Sequence, residues 1–267
     1  MCDLCTKHGD GAIWYKNAKN YAHDLMADLR RRHYVQNFLE TTIGDGVLSL
    51  GRLETIFGKK RRLPERLVTA MVAQAREEHF GQVVPMEDIR VIVEQAATVV
   101  RMPCACRWAA AKRELRCCYA VSYTAETWYD GLDMGYFGLA PGEGIESLSR
   151  GEAITQMAGL EHHGAIHTIW TMITPFIGAI CNCASQECLG LRTLAMRVET
   201  LSRGEYRARI DPTLCQGCGL CEPACQFGAI SSRRVAGGRQ VAMADPGQCY
   251  GCGLCRNHCP HGAIVLV

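Results

Sequence analysis

Residues 249–264 read CYGCGLCRNHCPHGAI, and residues 215–230 read CQGCGLCEPACQFGAI. Aligned at an offset of 34, residues 211–230 and 245–264 agree at twelve of twenty positions. This is an internal repeat, and each copy is too small to bury a core alone. Each copy carries the spacing C-x2-C-x2-C-x3-C: Cys215, Cys218, Cys221 and Cys225, then Cys249, Cys252, Cys255 and Cys259. Three cysteines spaced this way can wrap a tight loop around three irons of a cubane, while the fourth is directed at the partner cluster. The spacing therefore predicts one [4Fe–4S] cluster on Cys215, Cys218, Cys221 and Cys259. A second would sit on Cys249, Cys252, Cys255 and Cys225. Gly217, Gly219, Gly251 and Gly253 let backbone approach the sulfides. Zinc also takes four thiolates, but two interlocked phrases match poorly the paired C-x2-C spacing it favours.

On these residues the segment 205–267 resembles the bacterial-type two-[4Fe–4S] ferredoxin domain. The resemblance implies that family's compact fold, with short strand pairs near RARID and GAIVLV, and one-electron transfer between two nearby clusters. One departure stands out: Cys259 is followed by the family's proline, Pro260, but Cys225 is followed by Gln226. The segment carries four acidic and six basic side chains. With the charge of two oxidised clusters, the loaded segment comes to about −2. Freely diffusing ferredoxins of this type are usually much more acidic, so the weak field argues for a fixed module within a redox protein complex.

The 267 residues suffice for two modest domains, and the apolar fraction of 48% is that of an ordinary globular chain. The 17 cysteines are the anomaly. Met1 is followed at once by Cys2, Asp3 and Cys5 with no signal-peptide pattern, which points to a reducing, cytoplasmic setting where cysteines serve metal. The uncharged run 164–180 contains His167, four threonines and Pro175, and reads as buried strand and loop rather than a membrane span. The basic runs at 30–33 and 59–62 read as solvated helix ends, without the aromatic interleaving of a nucleic-acid surface.

Residues 1–204 read as a mainly helical, cysteine-rich domain, giving an α+β chain when joined to the ferredoxin segment at 205–267. The stripe Ala18, Tyr21, Ala22, Leu25, Met26 and Leu29 predicts one helix, and Pro64 to His79 a second. A third, opened by Pro85, places Met86, Ile89, Ile92, Val93, Ala96 and Val100 on one face and stops before Pro103. Ser149 caps a fourth running to His162, and AIHTIW follows as a buried strand. Gly44-Asp45-Gly46 and Gly142-Glu143-Gly144 read as turns. His162, His163 and His167 read as structural histidines.

Seven upstream cysteines fall in three short phrases: Cys104 and Cys106 in PCACR, Cys117 and Cys118 in RCCY, and Cys181, Cys183 and Cys188 in ICNCASQEC. An extended C-x-C projects both side chains to one side. Ser185 reads as an N-cap, which would set Cys188 in a helix's first turn where the dipole favours thiolate. Each cysteine alone is a small buried hydrophobe. Together they predict at least one further iron–sulfur cluster, with zinc or free thiols as alternatives. These phrases resemble those of cysteine-rich iron–sulfur subunits of anaerobic redox complexes. Cys2, Cys5 and His8 have metal-ligand spacing but lack a fourth donor, so metal ligation and free thiols both stand. No P-loop, dinucleotide fingerprint or hydrolase motif is present. The leading expectation is an iron–sulfur electron-transfer subunit serving a larger catalytic partner. A small reductase with an open or unusual upstream cluster, and a metal- or sulfur-handling assembly factor, are the alternatives.

Overall fold

The computed structural model describes residues 3–58, 63–113, 115–140, 143–184 and 187–267, and all but the side chain of Ala236 among them. Cys2, the run 59–62, Gly142 and Ser185 lie outside the described residues.

A seven-stranded sheet forms the centre of residues 1–204, an element that a mainly helical reading omits. Its strands are β1 (Gly81–Val83), β2 (Thr98–Met102), β3 (Cys118–Ser122), β4 (Glu146–Leu148), β5 (Ile166–Thr171), β6 (Ile177–Cys183) and β7 (Leu201–Ser202). Their order is β4-β2-β3-β6-β5-β1-β7, with only β1 and β7 parallel. The strands carry apolar residues on both faces because both are covered. Val99, Tyr119, Val121 and Ile180 pack with α5 (Met86–Gln95) and α7 (Arg150–His162). Val100, Ala120 and Met172 pack on the other side with Val35 of α2 (Leu29–Gln36), Phe38 and Leu39, and Val47 of α3 (Asp45–Phe57). The remaining helices of this part are α1 (Asp3–His8), α4 (Glu65–Glu78), α6 (Ala105–Ala111) and α8 (Leu189–Ala195).

The expected helices at 64–79 and 149–162 form as α4 and α7, the latter with a full Ser149–Glu152 capping box. The strand at AIHTIW forms as β5, and the run 164–180 is strand and loop. Among the described residues no helix is long and apolar enough to cross a membrane.

Four expectations differ. The stripe 18–29 is no helix but two 3₁₀ turns, 18–21 and 23–27, interrupted by extended backbone at Ala22 and Asp28; Asn20 and Tyr21 are buried and bond to backbone carbonyls there. The helix from Pro85 ends at Gln95, and Val100 is buried in β2 instead, because its neighbours alternate between both sheet faces. Gly44-Asp45-Gly46 is no turn: a π-helical segment, 38–44, runs directly into α3, where Tyr136 packs against Gly44. Gly144 does lie in a turn, with φ of 84°. The basic run at 30–33 is only partly solvated, since Arg31 is buried and donates to the carbonyls of Ile173 and Leu25.

Residues 205–267 form two small antiparallel sheets with short helices between them. β8 (Ala208–Ile210) pairs with β11 (Ile264–Leu266), the two strands expected at RARID and GAIVLV. β9 (Ile230–Arg234) pairs with β10 (Gln240–Ala244). The helices are α9 (Cys221–Ala224) and α10 (Leu254–Asn257).

This segment is bound to the rest of the chain by buried polar groups. Asp88, 2% exposed, accepts from Tyr15 (2.7 Å) and from Tyr206 (3.0 Å), and Lys16 Nζ lies 2.5 Å away. Gln82 donates to Glu205, and Arg256 pairs with Glu87. Truncating Asp88→Ala strands two hydroxyls and an ammonium, which should destabilise the protein by about 2–3 kcal/mol. Asp88→Asn keeps one of the two acceptor oxygens and should cost less. Denaturant midpoints check this, and equal loss in both variants would remove the role given to the tyrosines.

Candidate metal centres

The upstream cysteines are brought together by strand pairing. β2 and β3 pair with Met102 opposite Cys118, so Cys104, two residues beyond Met102, falls beside Cys117. β3 and β6 pair with Cys118 opposite Cys181, and their sulfurs lie 4.0 Å apart. Cys183 follows two residues on, on the same face as Cys181. The sulfurs of Cys104, Cys117 and Cys183 all lie within 4.8 Å of one another. Cys106 and Cys118 also touch Cys104, and Cys188 touches Cys183. All seven thiols of the three phrases thus join one contact network.

Two local details differ from the expectation. The C-x-C at 104–106 is not extended: Cys104 is the N-cap of α6 and Cys106 lies in its first turn. Cys188 is the N-cap of α8 rather than a residue of the first turn. Its thiol is drawn below the usual range, chiefly by Cys183 and further by the amides of Leu191 and Gly190.

The electrostatics of this network are those of too many acids in one dry place. Cys104 is drawn well down because Cys106, Cys117, Cys118 and Cys183 can all donate to its thiolate. Contact with Cys104 and burial push Cys106, Cys118 and Cys183 well up. One cation, Arg107 of α6, lies close by and is held 2.7 Å from Glu187. A bound metal group could stabilise several of these cysteines as thiolates together, which neighbouring thiols cannot do.

In the C-terminal segment the eight cysteines line two cavities. One is lined by Cys215, Cys218, Cys221 and Cys259, the other by Cys225, Cys249, Cys252 and Cys255. Each thus takes its fourth cysteine from the opposite copy of the repeat. Glycine is required beside both. Gly217 and Gly251 have φ of 68° and 72°, and an added Cβ would stand 2.3 Å from the carbonyl oxygens of Gln240 and Tyr206 respectively. Backbone amides point at the sulfurs, from Ala242 to Cys215 (3.4 Å) and from Ala208 to Cys249 (3.3 Å). The donor set, the close backbone and the amides fit a sulfide-bridged iron group. Cys218 is exposed, whereas burial pushes the thiols of Cys252 and Cys255 up to about 12.

Residues 214–263 match the family model of the 4Fe-4S dicluster domain. The C-terminal segment is of ferredoxin type. That match and the wealth of cysteines support an iron–sulfur electron-transfer role. No curated protein matches the chain.

The ferredoxin-type segment and the upstream network meet in one apolar cluster. Cys252 and Leu254 pack in it with Cys183, Cys188, Leu191 and Trp170, flanked by Phe227 and Tyr250. Those two rings stack at 4.1 Å. Gln226, in the place of the family's proline, donates to the Gly164 carbonyl at 2.5 Å. The departure from the family pattern thus serves docking, a use that no local spacing signals.

Cys5 is buried, with its sulfur 3.9 Å from Glu205. Among the described residues neither Cys5 nor His8 joins a set of three close metal donors. His163 bonds the Gly159 carbonyl, as a structural histidine does. His167 is fully buried and bonds Asn182, the residue between Cys181 and Cys183, at 2.6 Å. Burial holds its pKa down to about 4. An unfolded histidine titrates near 6.5, so below that pH the unfolded chain takes a proton that the folded protein refuses. Stability should be flat above about pH 6.5 and fall toward pH 4. His167→Gln should flatten that fall, as read by melting midpoints at pH 7 and pH 5.5; an unchanged slope would contradict the assignment.

Proposed function

We propose that the protein is an electron carrier in which two [4Fe–4S] clusters in residues 205–267 feed a further cluster held by residues 1–204. Cys215, Cys218, Cys221 and Cys259 hold the first, and Cys249, Cys252, Cys255 and Cys225 the second. The ligands of the third come from among Cys104, Cys106, Cys117 or Cys118, Cys181, Cys183 and Cys188. When bound, such clusters supply one-electron redox chemistry, and the protein sets their potentials and spacing.

The observation that carries this reading is the apolar cluster shared by Cys252, Cys183 and Cys188. It joins the ligands of the second and third clusters through packed, buried side chains. In this reading a redox partner docks at the opposite end, where Cys218 is exposed. The direction of the relay follows: surface, first cluster, second cluster, upstream site. Its near-neutral ferredoxin-type segment suits a module fixed in a larger redox complex. A reducing, oxygen-poor cytoplasm suits so many thiolates.

Two measurements on the full chain, reconstituted without oxygen, test this. Cys183→Ser should lower bound iron by about four while the spectra of the ferredoxin-type pair persist. Iron at the level of two clusters in the unaltered chain would sink the third. Cys259→Ala should damage the cluster of Cys215, Cys218 and Cys221, in the other half of the repeat. Should only the Cys249-to-Cys255 cluster change, the exchange of fourth ligands is wrong.

A further inference from the structure

The upstream cysteines form only part of the wall of a cavity of about 260 Å³. The two cavities lined by four cysteines each in the ferredoxin-type segment are about 10 Å³. The upstream cavity is therefore the roomiest of the three, and its wall reaches well beyond the cysteines. The sulfurs crowd together, while the rest of the wall comes from other elements. Phe38, Leu53, Met71, Trp128 and Trp170 make it predominantly apolar.

His79 and Tyr34 place polar atoms on this wall. His79 donates from Nδ1 to the Thr171 carbonyl at 2.7 Å, which leaves Nε2 as an acceptor with no partner among the described residues. Its ring is held between Trp170 and Phe38, at 4.7 and 4.9 Å. The Tyr34 hydroxyl lies toward Thr42 but attains no hydrogen-bonding geometry. By contrast, Thr193 and Thr200 satisfy each other at 2.6 Å. Ser49 of α3 and Gln74 of α4 line the cavity and are exposed, so they form part of its rim.

We propose that this cavity binds a small, uncharged, mostly apolar molecule carrying one hydroxyl-type group, held beside the upstream cysteines. The apolar wall, with the Glu78 carboxylate on it, disfavours an anionic ligand, which would lose its hydration without gaining a counter-charge. His79 Nε2 offers an acceptor to the hydroxyl proton, and Tyr34 a donor. This deepens the electron-transfer reading: it rests on that reading for the group on the cysteines, though not for the pocket itself. The upstream site becomes a place where a ligand meets the end of the relay.

The test uses the full chain, reconstituted anaerobically, with benzyl alcohol as probe and benzoate as its charged counterpart. Binding is read by saturation-transfer NMR, and iron is counted on the same samples. Saturable binding of benzyl alcohol is expected, with benzoate about tenfold weaker or worse. Ala75→Phe, on the wall, and Ser49→Trp, at the exposed rim, should each weaken benzyl alcohol about tenfold with iron content unchanged. The rim variant alters no buried packing, so it guards against a folding failure in the first. Uptake that does not saturate, or that both variants leave unchanged, overturns the pocket. Full iron without binding overturns the pocket and keeps the upstream cluster. Saturable binding with iron for two clusters only keeps the pocket and overturns that cluster.

Discussion

The antiparallel register of β3 against β6 sets Cys118 opposite Cys181, and the upstream site depends on that pairing. Side chains alternate along a strand, so a slip of one residue would turn Cys181 and Cys183 to the opposite face. There they would meet α5 and α7 instead of the thiols of Cys104 and Cys117. The register is held from both sides by apolar packing, with Ile180 on one face and Ala179 on the other. A further tie is Asn182, whose backbone and side-chain amides both donate to the Cys117 carbonyl at 3.0 Å. The same residue accepts from His167, which makes the buried histidine a support for the site.

A second constraint is the docking of the ferredoxin-type segment. Its halves differ in environment although their phrases are nearly identical. The half with Cys252 is buried against the central sheet, whereas Cys218 faces solvent. Burial and amide contacts are the means by which a protein tunes iron–sulfur potentials, so the two halves present unlike settings for like ligands. The asymmetry comes from what each half touches. Gln226 contributes to it by bonding across to Gly164.

The C-terminal segment was legible because its cysteine spacing is a local signal. Four cysteines within eleven residues, with glycines at the close approaches, state their chemistry in the spacing. Long helices were legible for the same reason: α4 and α7 follow from Pro64 and Ser149. The stripe at 18–29 misled because helical spacing alone does not report that Asn20 and Tyr21 bond to nearby carbonyls and break the chain into turns. The extension of the helix through Val100 misled because a run apolar on both sides fits a doubly covered strand equally well.

By itself, then, the sequence determined the ferredoxin-type segment, the exchange pattern its repeat implies, and the list of upstream cysteines. Only the tertiary structure decided that those cysteines share one network, since Cys104 and Cys183 meet through two strand pairings far apart in the chain. It also decided which half of the repeat faces them and that an apolar cavity opens beside them. The physical reason is one of range. Ligand spacing and capping act within a few residues, whereas sheet register, burial and empty volume are properties of surfaces that the chain completes only when it is folded.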